Sequence, residues 1–222
     1  TRTYKVLHFK NFPPDPENSG YGQSTKILYL PPEDIFITSL RMGILHYSLK
    51  DSSLQQYSTR PESKYRLSSN NSRFMLYNKK LYGGVIWTGT EDGLNILNLE
   101  NNTVKVLNAQ NGLSNAVIYT MAADRKGNIW LTTNGGIARL NIADTTFTNF
   151  ALRDGVQSPE FNTNAVFQNK EGIIYFGGIN GLNYFHPDSI VLNNQIPRVK
   201  LTGFKVNDRE YVSELAVPEL TS

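Results

Sequence analysis

Carboxylates and side-chain amides concentrate in the predicted bends of this sequence. Seven of them form the candidate ligand-binding set: Glu91, Asp92, Asn115, Asn134, Glu160, Asn162 and Asn180. Such groups donate and accept hydrogen bonds, which is the chemistry that recognises a ligand rich in hydroxyl groups, such as an oligosaccharide. The nearby rings of Tyr119 and Phe161 could add apolar faces. Asparagine and glycine are also what tight turns require, so a purely structural role for these residues stays open.

Carboxylates can also perform acid–base catalysis, provided that they converge in space. Glu91, Asp92, Asp154 and Glu160 lie in predicted turns, and the sequence does not give the distances between them. Ser114 lies in a Gly-Leu-Ser-Asn segment that lacks the strand, turn and helix of a nucleophile elbow. We therefore predict no catalytic residue, and a polysaccharide lyase or glycosidase stays open as the alternative.

Metal and cofactor chemistry finds little support in the sequence. There is no cysteine, which excludes disulfides and thiolate ligands. The three histidines show no metal-ligand spacing. Asp124 to Asn128 lacks the alternating acidic ligands of a calcium loop and is typical of a hairpin turn. We expect neither a metal nor a cofactor.

Composition limits the partners. The 222 residues carry 22 basic and 19 acidic side chains without a charged run, so we expect no nucleic-acid binding. No stretch approaches the roughly 18 apolar residues of a membrane helix, so membrane attachment is expected only through parts outside this sequence. The low charged fraction of 18% and the aromatic fraction of 11% favour an all-β chain.

Residues 116–150 show how the bends are positioned. Three turn signals divide this stretch into four short apolar runs, which predicts a four-stranded antiparallel meander. Simple alternation along its first strand assigns Val117, Tyr119 and Met121 to one face and Ile118 to the other. A sheet that is apolar on both faces must pack between neighbouring sheets.

The neighbours are predicted to be copies of this sheet. Three pairs of landmarks are each separated by 43 residues: Trp87 and Trp130, Gly93 and Gly136, and Gly112 and Gly155. Further copies place Tyr175 and Phe36 at the tryptophan position, with Gly181 at the position of Gly136. A period near 43 with four strands per unit predicts a β-propeller, here about four four-stranded antiparallel blades of a larger ring. Because the tryptophans recur with the blade period, we predict that they pack between blades and do not stack on sugars.

The propeller reading brings the candidate residues together. The loop before the first strand of a blade and the turn between its second and third strands emerge on the same side. Loops 112–115 and 158–162 should therefore lie beside the turns that contain Glu91, Asn134 and Asn180.

The chain divides into residues 1–188, the propeller blades, and residues 189–222, a linker with the first strands of a β-sandwich. Tyr4 to Phe9 is predicted to be the last strand of a blade. No fourth strand is evident after Phe185, because Pro187 cannot donate to a sheet. In a closed ring, the missing edge is usually supplied by the other end of the chain.

Family motifs accompany this pattern. The third blade carries Gly112-Leu113-Ser114-Asn115, Asp124, Lys126-Gly127-Asn128-Ile129-Trp130, Asn134-Gly135-Gly136 and Arg139-Leu140. The fourth carries Asp154-Gly155-Val156-Gln157-Ser158, Glu160-Phe161-Asn162 and the run from Tyr175 to Phe185. These motifs resemble the two-component regulator propeller repeat, and residues 197–206 resemble the start of the immunoglobulin-like domain that follows it in that family.

The resemblance implies an extracytoplasmic sensor of a Bacteroides-type hybrid two-component system. It implies propellers of about seven blades, a sandwich, a membrane helix and a histidine kinase, of which only the first two would be represented here. We accordingly expect a non-enzymatic periplasmic sensing part of an inner-membrane protein that binds an oligosaccharide and is a homodimer at full length. A purely structural spacer is the second alternative.

Overall fold

The computed structural model describes residues 23–191, together with the backbone of residues 204–206 and 209–211. Backbone packing divides the chain into two compact units, Thr1–Ser189 and Ile190–Ser222. None of the helices in the described residues has the length and apolar character needed to span a membrane. The strand predicted over Tyr4 to Phe9 lies outside the described residues.

The first two blades are four-stranded antiparallel meanders. Blade 1 comprises β1 (Ser24–Leu30), β2 (Asp34–Ser39), β3 (Gly43–Ser48) and β4 (Leu54–Tyr57). Blade 2 comprises β5 (Ser72–Tyr77), β6 (Val85–Thr90), β7 (Gly93–Asn98) and β8 (Thr103–Leu107). The one-turn helix α1 (Lys79–Tyr82) joins β5 to β6.

Blade 3 repeats the pattern and blade 4 shortens it. Blade 3 comprises β9 (Ile118–Ala123), β10 (Ile129–Thr133), β11 (Gly136–Asn141) and β12 (Thr146–Phe150). Blade 4 has three strands in the described chain: β13 (Phe161–Gln168), β14 (Ile174–Gly178) and β15 (Gly181–Phe185). Single 3₁₀ turns follow β8, β12 and β15. The prediction of an all-β propeller of antiparallel meanders is confirmed.

The second unit contributes one described hairpin. Strand β16 (Phe204–Val206) pairs antiparallel with β17 (Arg209–Tyr211). The sequence predicted a linker and the first strands of a β-sandwich in residues 189–222. The β-sandwich itself stays a prediction.

The blades bury their apolar faces against one another. Between blades 1 and 2, Phe36 and Ile44 pack with Ile86 and Leu97 in one core cluster. Between blades 2 and 3, a second cluster contains Trp87, Leu94, Met121, Leu131 and Leu140. Each such side chain contributes about 1.5–3 kcal/mol by leaving water, so neighbouring blades supply the cohesion that one sheet lacks.

The tryptophan position faces the next blade along the chain. Trp130 is 1% exposed and lies 5.6 Å from the ring of Phe150 and 4.8 Å from the ring of Phe185 in blade 4. Trp87 is buried in the cluster between blades 2 and 3, and its ring meets Tyr82 edge-on at 5.4 Å. Burial of both rings agrees with the predicted packing role and leaves neither face open to a sugar.

Backbone hydrogen bonds also join successive blades at their turns. The first glycine of the third strand donates its N–H to the loop that precedes the next blade: Gly43 to Asn70 O at 2.7 Å, Gly93 to Ala116 O at 2.8 Å and Gly136 to Pro159 O at 3.1 Å. The turn of one blade and the loop before the next therefore lie side by side, as the propeller reading predicted.

Candidate ligand-binding site

The first strand of each blade, β1, β5, β9 or β13, is the innermost one, and its pairing is irregular near its start. The pairing register shifts between Ser24 and Lys26 in β1, between Ser72 and Phe74 in β5, and between Phe161 and Val166 in β13. In β9, Thr120 pairs with Thr132 and Ile118 with Thr133, which leaves Tyr119 unpaired. Such bulges turn side chains in a direction that regular pairing forbids.

The bulge in β9 corrects one sequence prediction. Ile118 and Met121 belong to the same buried cluster between blades 2 and 3, so simple alternation assigned them wrongly to opposite faces. The extra residue shifts the alternation of side chains by one position, and the unpaired Tyr119 contacts Asn134 in the turn of blade 3. The equivalent irregular segments of β5 and β13 contain Arg73 and Thr163.

The side chains of Arg73, Glu91, Tyr119, Asn134 and Thr163 form what we term the mouth cluster. Arg73 Nη2 donates to Glu91 Oε1, and Arg73 Nη1 donates to Thr163 Oγ1 at 3.3 Å. Its guanidinium carbon lies 5.2 Å from the centre of the Tyr119 ring, which is a cation–π arrangement. A single cation thus links blades 2, 3 and 4.

Tyr119 extends the cluster to the turn of blade 3. Its hydroxyl donates to Asn134 Oδ1 at 2.6 Å, and the residue is buried. Burial raises the pKa of the Tyr119 phenol, and the negative charge of Glu160 adds to this, against the opposing influence of Arg73. The phenol therefore stays protonated at neutral pH and acts as a fixed donor to Asn134.

Glu91 is held on both carboxylate oxygens. Besides the Arg73 bond, Glu91 Oε2 accepts from Asn71 Nδ2 at 2.6 Å. Asn71 Oδ1 in turn accepts from the backbone N–H of Arg41, in the turn of blade 1, at 2.8 Å. Glu91 therefore anchors the cluster to blade 1, and its carboxylate is engaged as an acceptor.

One polar atom of the cluster is unsatisfied. Arg73 Nε is buried and has no hydrogen-bond partner among residues 23–191. A buried donor without a partner costs about 1–3 kcal/mol. An acceptor that enters the mouth cluster, such as a ligand oxygen, would remove this cost.

The structure distributes the seven predicted residues unevenly. Glu91 and Asn134 belong to the mouth cluster, and Glu160 is close enough to act on Tyr119. Asp92 and Asn180 are exposed in turns, and Asn162 is exposed in the irregular first part of β13. The Asn180 N–H donates to Gln157 Oε1 at 2.8 Å. Asn115 Oδ1 accepts from the Val117 N–H at 2.9 Å, so its carbonyl serves a local turn.

Sequence reasoning missed Arg73 and Thr163. Arg73 is the single unpaired residue of β5, as Tyr119 is of β9, and Thr163 lies in the longer irregular segment of β13. Of the three, the sequence singled out only Tyr119. Phe161, proposed as a second ring, is 1% exposed and packs against Phe176. It therefore cannot offer a face to a ligand.

Loop 112–115 is fixed by a side-chain amide. Asn149 Oδ1 accepts from the Ser114 N–H at 3.1 Å, and Asn149 Nδ2 donates to Gly112 O at 2.8 Å. Asn183 makes the same pair of bonds to Gln157 N–H and Gly155 O, at 2.9 Å each. Asn149 lies in β12 and Asn183 in β15, so two different strands supply the same clamp to equivalent loops.

The clamp leads to a reciprocal prediction. Asn149→Ala should accelerate amide hydrogen exchange at Ser114 by roughly threefold to tenfold, because a hydrogen bond contributes about 0.5–1.5 kcal/mol. Asn183→Ala should do the same at Gln157. Each variant is the control for the other, and equal acceleration at both loops in either variant would contradict the assignment.

The Asp124 turn and a pocket beside β4 lie apart from the mouth cluster. Asp124 accepts from the backbone N–H groups of Lys126 and Asn128 and from Trp130 Nε1, so donors occupy the oxygens that a calcium ion would need. Within the described chain, no group of acidic or histidine side chains is arranged to hold a metal. A shallow pocket of about 290 Å³ lies along β4 and the loop after it, and none of its lining residues belongs to the mouth cluster.

Comparison with known proteins supports the resemblance drawn from the motifs. Residues 112–135 match the family model described as two component regulator propeller. Histidine kinase P4 of Formosa agariphila is 24% identical over an alignment 256 positions long, which covers 92% of this chain and 18% of that protein. The predicted resemblance to this family is confirmed.

Two similar solved structures are extracellular domains of hybrid two component systems. The extracellular domain of hybrid two component system BT3049 from B. thetaiotaomicron is 27% identical, with a TM-score of 0.72 over 97% of this chain and 29% of that one. The corresponding domain of BT4673 shares the fold at 17% identity and a TM-score of 0.58, over 75% of this chain and 21% of that one. The chain thus spans less than a third of each of these proteins.

Proposed function

We propose that this chain, which carries a two-component regulator propeller repeat, is part of the ligand-sensing propeller of a hybrid two-component system and binds an oligosaccharide at the mouth cluster. The observation that carries the proposal is Arg73, which joins three blades and keeps one buried donor without a partner in the described chain. The similar solved structures are extracellular domains of such systems, which supports a periplasmic location.

The chemistry of the bends favours a neutral, hydroxyl-rich ligand. Arg73 is paired with Glu91, and exposed Glu160 adds a second negative charge, so the cluster does not present the excess positive charge that a polyanion requires. The exposed amides of Asn134, Asn162 and Asn180 can donate to and accept from hydroxyl groups. A sugar matches this mixture of donors and acceptors.

Signalling would follow from the way in which the cluster joins blades. A ligand acceptor on Arg73 Nε strengthens one arrangement of blades 2, 3 and 4 relative to others. Binding can shift an equilibrium only by such a difference in affinity between arrangements. In the proposed mechanism, this bias changes the packing of two protomers and passes through the domain that residues 189–222 begin, toward a kinase in the full-length protein.

The test is calorimetry with an oligosaccharide library on this chain and on two arginine variants. Arg73→Met should weaken binding of the best oligosaccharide by about 10-fold to 100-fold, because a hydrogen bond to a charged group contributes about 1.5–3 kcal/mol. Arg153→Met, which removes an 88% exposed side chain, is the control and should leave the affinity unchanged.

Other outcomes separate the alternatives. Unchanged affinity in a folded Arg73→Met variant would place the ligand elsewhere. If the intact ectodomain binds and this chain does not, the blades are a spacer. Release of reducing ends from a polysaccharide panel would support the enzyme alternative. We expect none, because both oxygens of Glu91 are already engaged.

A further inference from the structure

The loop that follows the outer strand is longer in blade 1 than in blades 2 and 3. In each blade, a carbonyl of this loop accepts from the N–H of the glycine that begins the third strand. The chain reaches that carbonyl in nine residues in blade 2 (108–116) and in blade 3 (151–159), but in thirteen residues in blade 1 (58–70). Blade 1 therefore carries four extra residues in this loop.

The extra residues lie in the first part of the loop. Leu67 precedes the accepting carbonyl by three residues, as do Leu113 and Val156, and all three side chains are buried. The insertion therefore falls within residues 58–66, which replace the five residues 108–112 of blade 2. Insertions into single copies of a repeat map to loops, which often carry the binding function.

The inserted segment and the outer strand β4 form what we term the loop pocket, with a volume of about 290 Å³. Its lining residues are Gln55, Gln56, Tyr57, Ser58, Arg60, Glu62, Ser63 and Lys64. This volume lies at the lower limit of the range of about 300–1,000 Å³ for small-molecule sites. The loop pocket therefore suits a ligand the size of one sugar unit and not a polymer.

Hydrogen bonds within the protein fix the wall of the loop pocket. Ser63 Oγ accepts from the Ser58 N–H at 3.0 Å and donates to Tyr65 O at 2.8 Å, and the Leu67 N–H donates to Ser58 O at 2.9 Å. Tyr65 is 2% exposed and meets the Tyr57 ring edge-on at 4.7 Å. The wall is thus formed before a ligand binds, which lowers the ordering cost of binding.

The charged side chains of the loop pocket favour an anion. Arg60 and Lys64 outnumber Glu62, and none of the three forms an ion pair within the described chain. The two cations can donate to a carboxylate in charge-assisted hydrogen bonds. The exposed side chains of Gln55 and Glu62 can accept hydrogen bonds from hydroxyl groups. Together these groups match a ligand with one carboxylate and several hydroxyls.

We propose that the loop pocket binds a small sugar acid, with its carboxylate on Arg60 and Lys64 and its hydroxyl groups on Gln55 and Glu62. None of these residues belongs to the mouth cluster, so the proposal does not depend on oligosaccharide binding there.

The test is titration of this chain with D-glucuronate, D-glucose or inorganic phosphate, followed by amide NMR. Glucuronate should shift the resonances of residues 55–64 and bind more tightly than glucose, which lacks the charge, or phosphate, which lacks the sugar ring. Arg60→Met and Lys64→Met should each weaken glucuronate binding by about threefold to tenfold. Lys50→Met removes an exposed cation of blade 1 outside the pocket lining and should leave the affinity unchanged.

Two results of this titration would overturn the proposal. Glucuronate that binds no more tightly than glucose or phosphate would show that the pocket does not recognise a sugar acid. The same affinity in Arg60→Met, Lys64→Met and the unchanged chain would show that these cations do not hold the carboxylate.

A loop exchange tests the inserted residues as a unit. Replacing residues 58–66 with the sequence of residues 108–112 gives blade 1 the connection of blade 2 and should abolish the response to glucuronate. Circular dichroism establishes that the exchange variant is folded, and the two point variants decide the question if it is not. Unchanged glucuronate binding by the folded exchange variant would contradict the proposal.

Discussion

Replacing Trp130 with alanine is expected to lower the free energy of unfolding by about 3–5 kcal/mol, the range for a large buried aromatic side chain. The ring is 1% exposed between Phe150 and Phe185, and it therefore joins blade 3 to blade 4. Its Nε1 also donates to Asp124 Oδ2 at 3.0 Å. Urea denaturation followed by far-UV circular dichroism measures the loss.

Phenylalanine at the two tryptophan positions separates packing from hydrogen bonding. Trp130→Phe removes the bond to Asp124 and should cost about 1–2 kcal/mol. Trp87 Nε1 is buried without a partner in the described part of the chain, so Trp87→Phe removes an unsatisfied donor and should cost less. Equal losses in the two variants would show that the Asp124 bond contributes nothing.

Gly136→Ala is the second substitution with a large expected effect, about 2–4 kcal/mol of lost stability. Gly136 has φ +107°, and an added Cβ would meet the backbone carbonyl of Phe150. This clash cannot be relieved without separating β11 from β12 or disturbing the hydrogen bond from the Gly136 N–H to Pro159 O. Thermal melting of the variant measures the loss.

Gly127→Ala is the matched control. Gly127 also has a positive φ, +87°, but a Cβ there would have nothing within 4 Å in the described structure. Only the conformational cost remains, about 1 kcal/mol. If the two alanine variants had the same melting temperature, the positive φ alone would account for the cost of both substitutions. The expected clash between the added Cβ and the carbonyl of the outer strand would then be wrong.

The repeat could be predicted because backbone geometry demands particular residues. The first residue of the third strand has a positive φ and lies against the carbonyl oxygen of the outer strand. A side chain at Gly93 or Gly136 would therefore be strained and would clash with that oxygen. Trp87 and Trp130 fill the space between blades at equivalent positions. These constraints recur with the blade, and the period of 43 residues therefore appears in the sequence.

The centre of the site could not be predicted in the same way. A bulge inserts one residue into a strand and has no sequence signature. The sequence therefore did not predict that Tyr119 contacts Asn134, and it assigned Ile118 to the wrong face. Arg73 reads as an ordinary charged residue at the start of a strand. Its role depends on Thr163, which lies 90 residues away in the sequence and is brought near only by the packing of the blades.

Helix α1 is a second, smaller feature that the sequence alone did not predict. Asn78 accepts from the Leu81 N–H and caps a single turn, where the residues also suit a simple hairpin. The turn places Tyr82 against Trp87, and the Tyr82 hydroxyl donates to Gly127 O at 3.1 Å. Long-range packing thus selects between two local structures of similar propensity.

The most direct test of the ligand-binding account is amide hydrogen exchange with and without the oligosaccharide that binds best in calorimetry. The account predicts slower exchange in three segments that surround the mouth cluster, residues 71–73, 91–93 and 133–136, together with the loop over 158–163. Slower exchange confined to the outer strands β4, β8 and β12, with those segments unchanged, would contradict it.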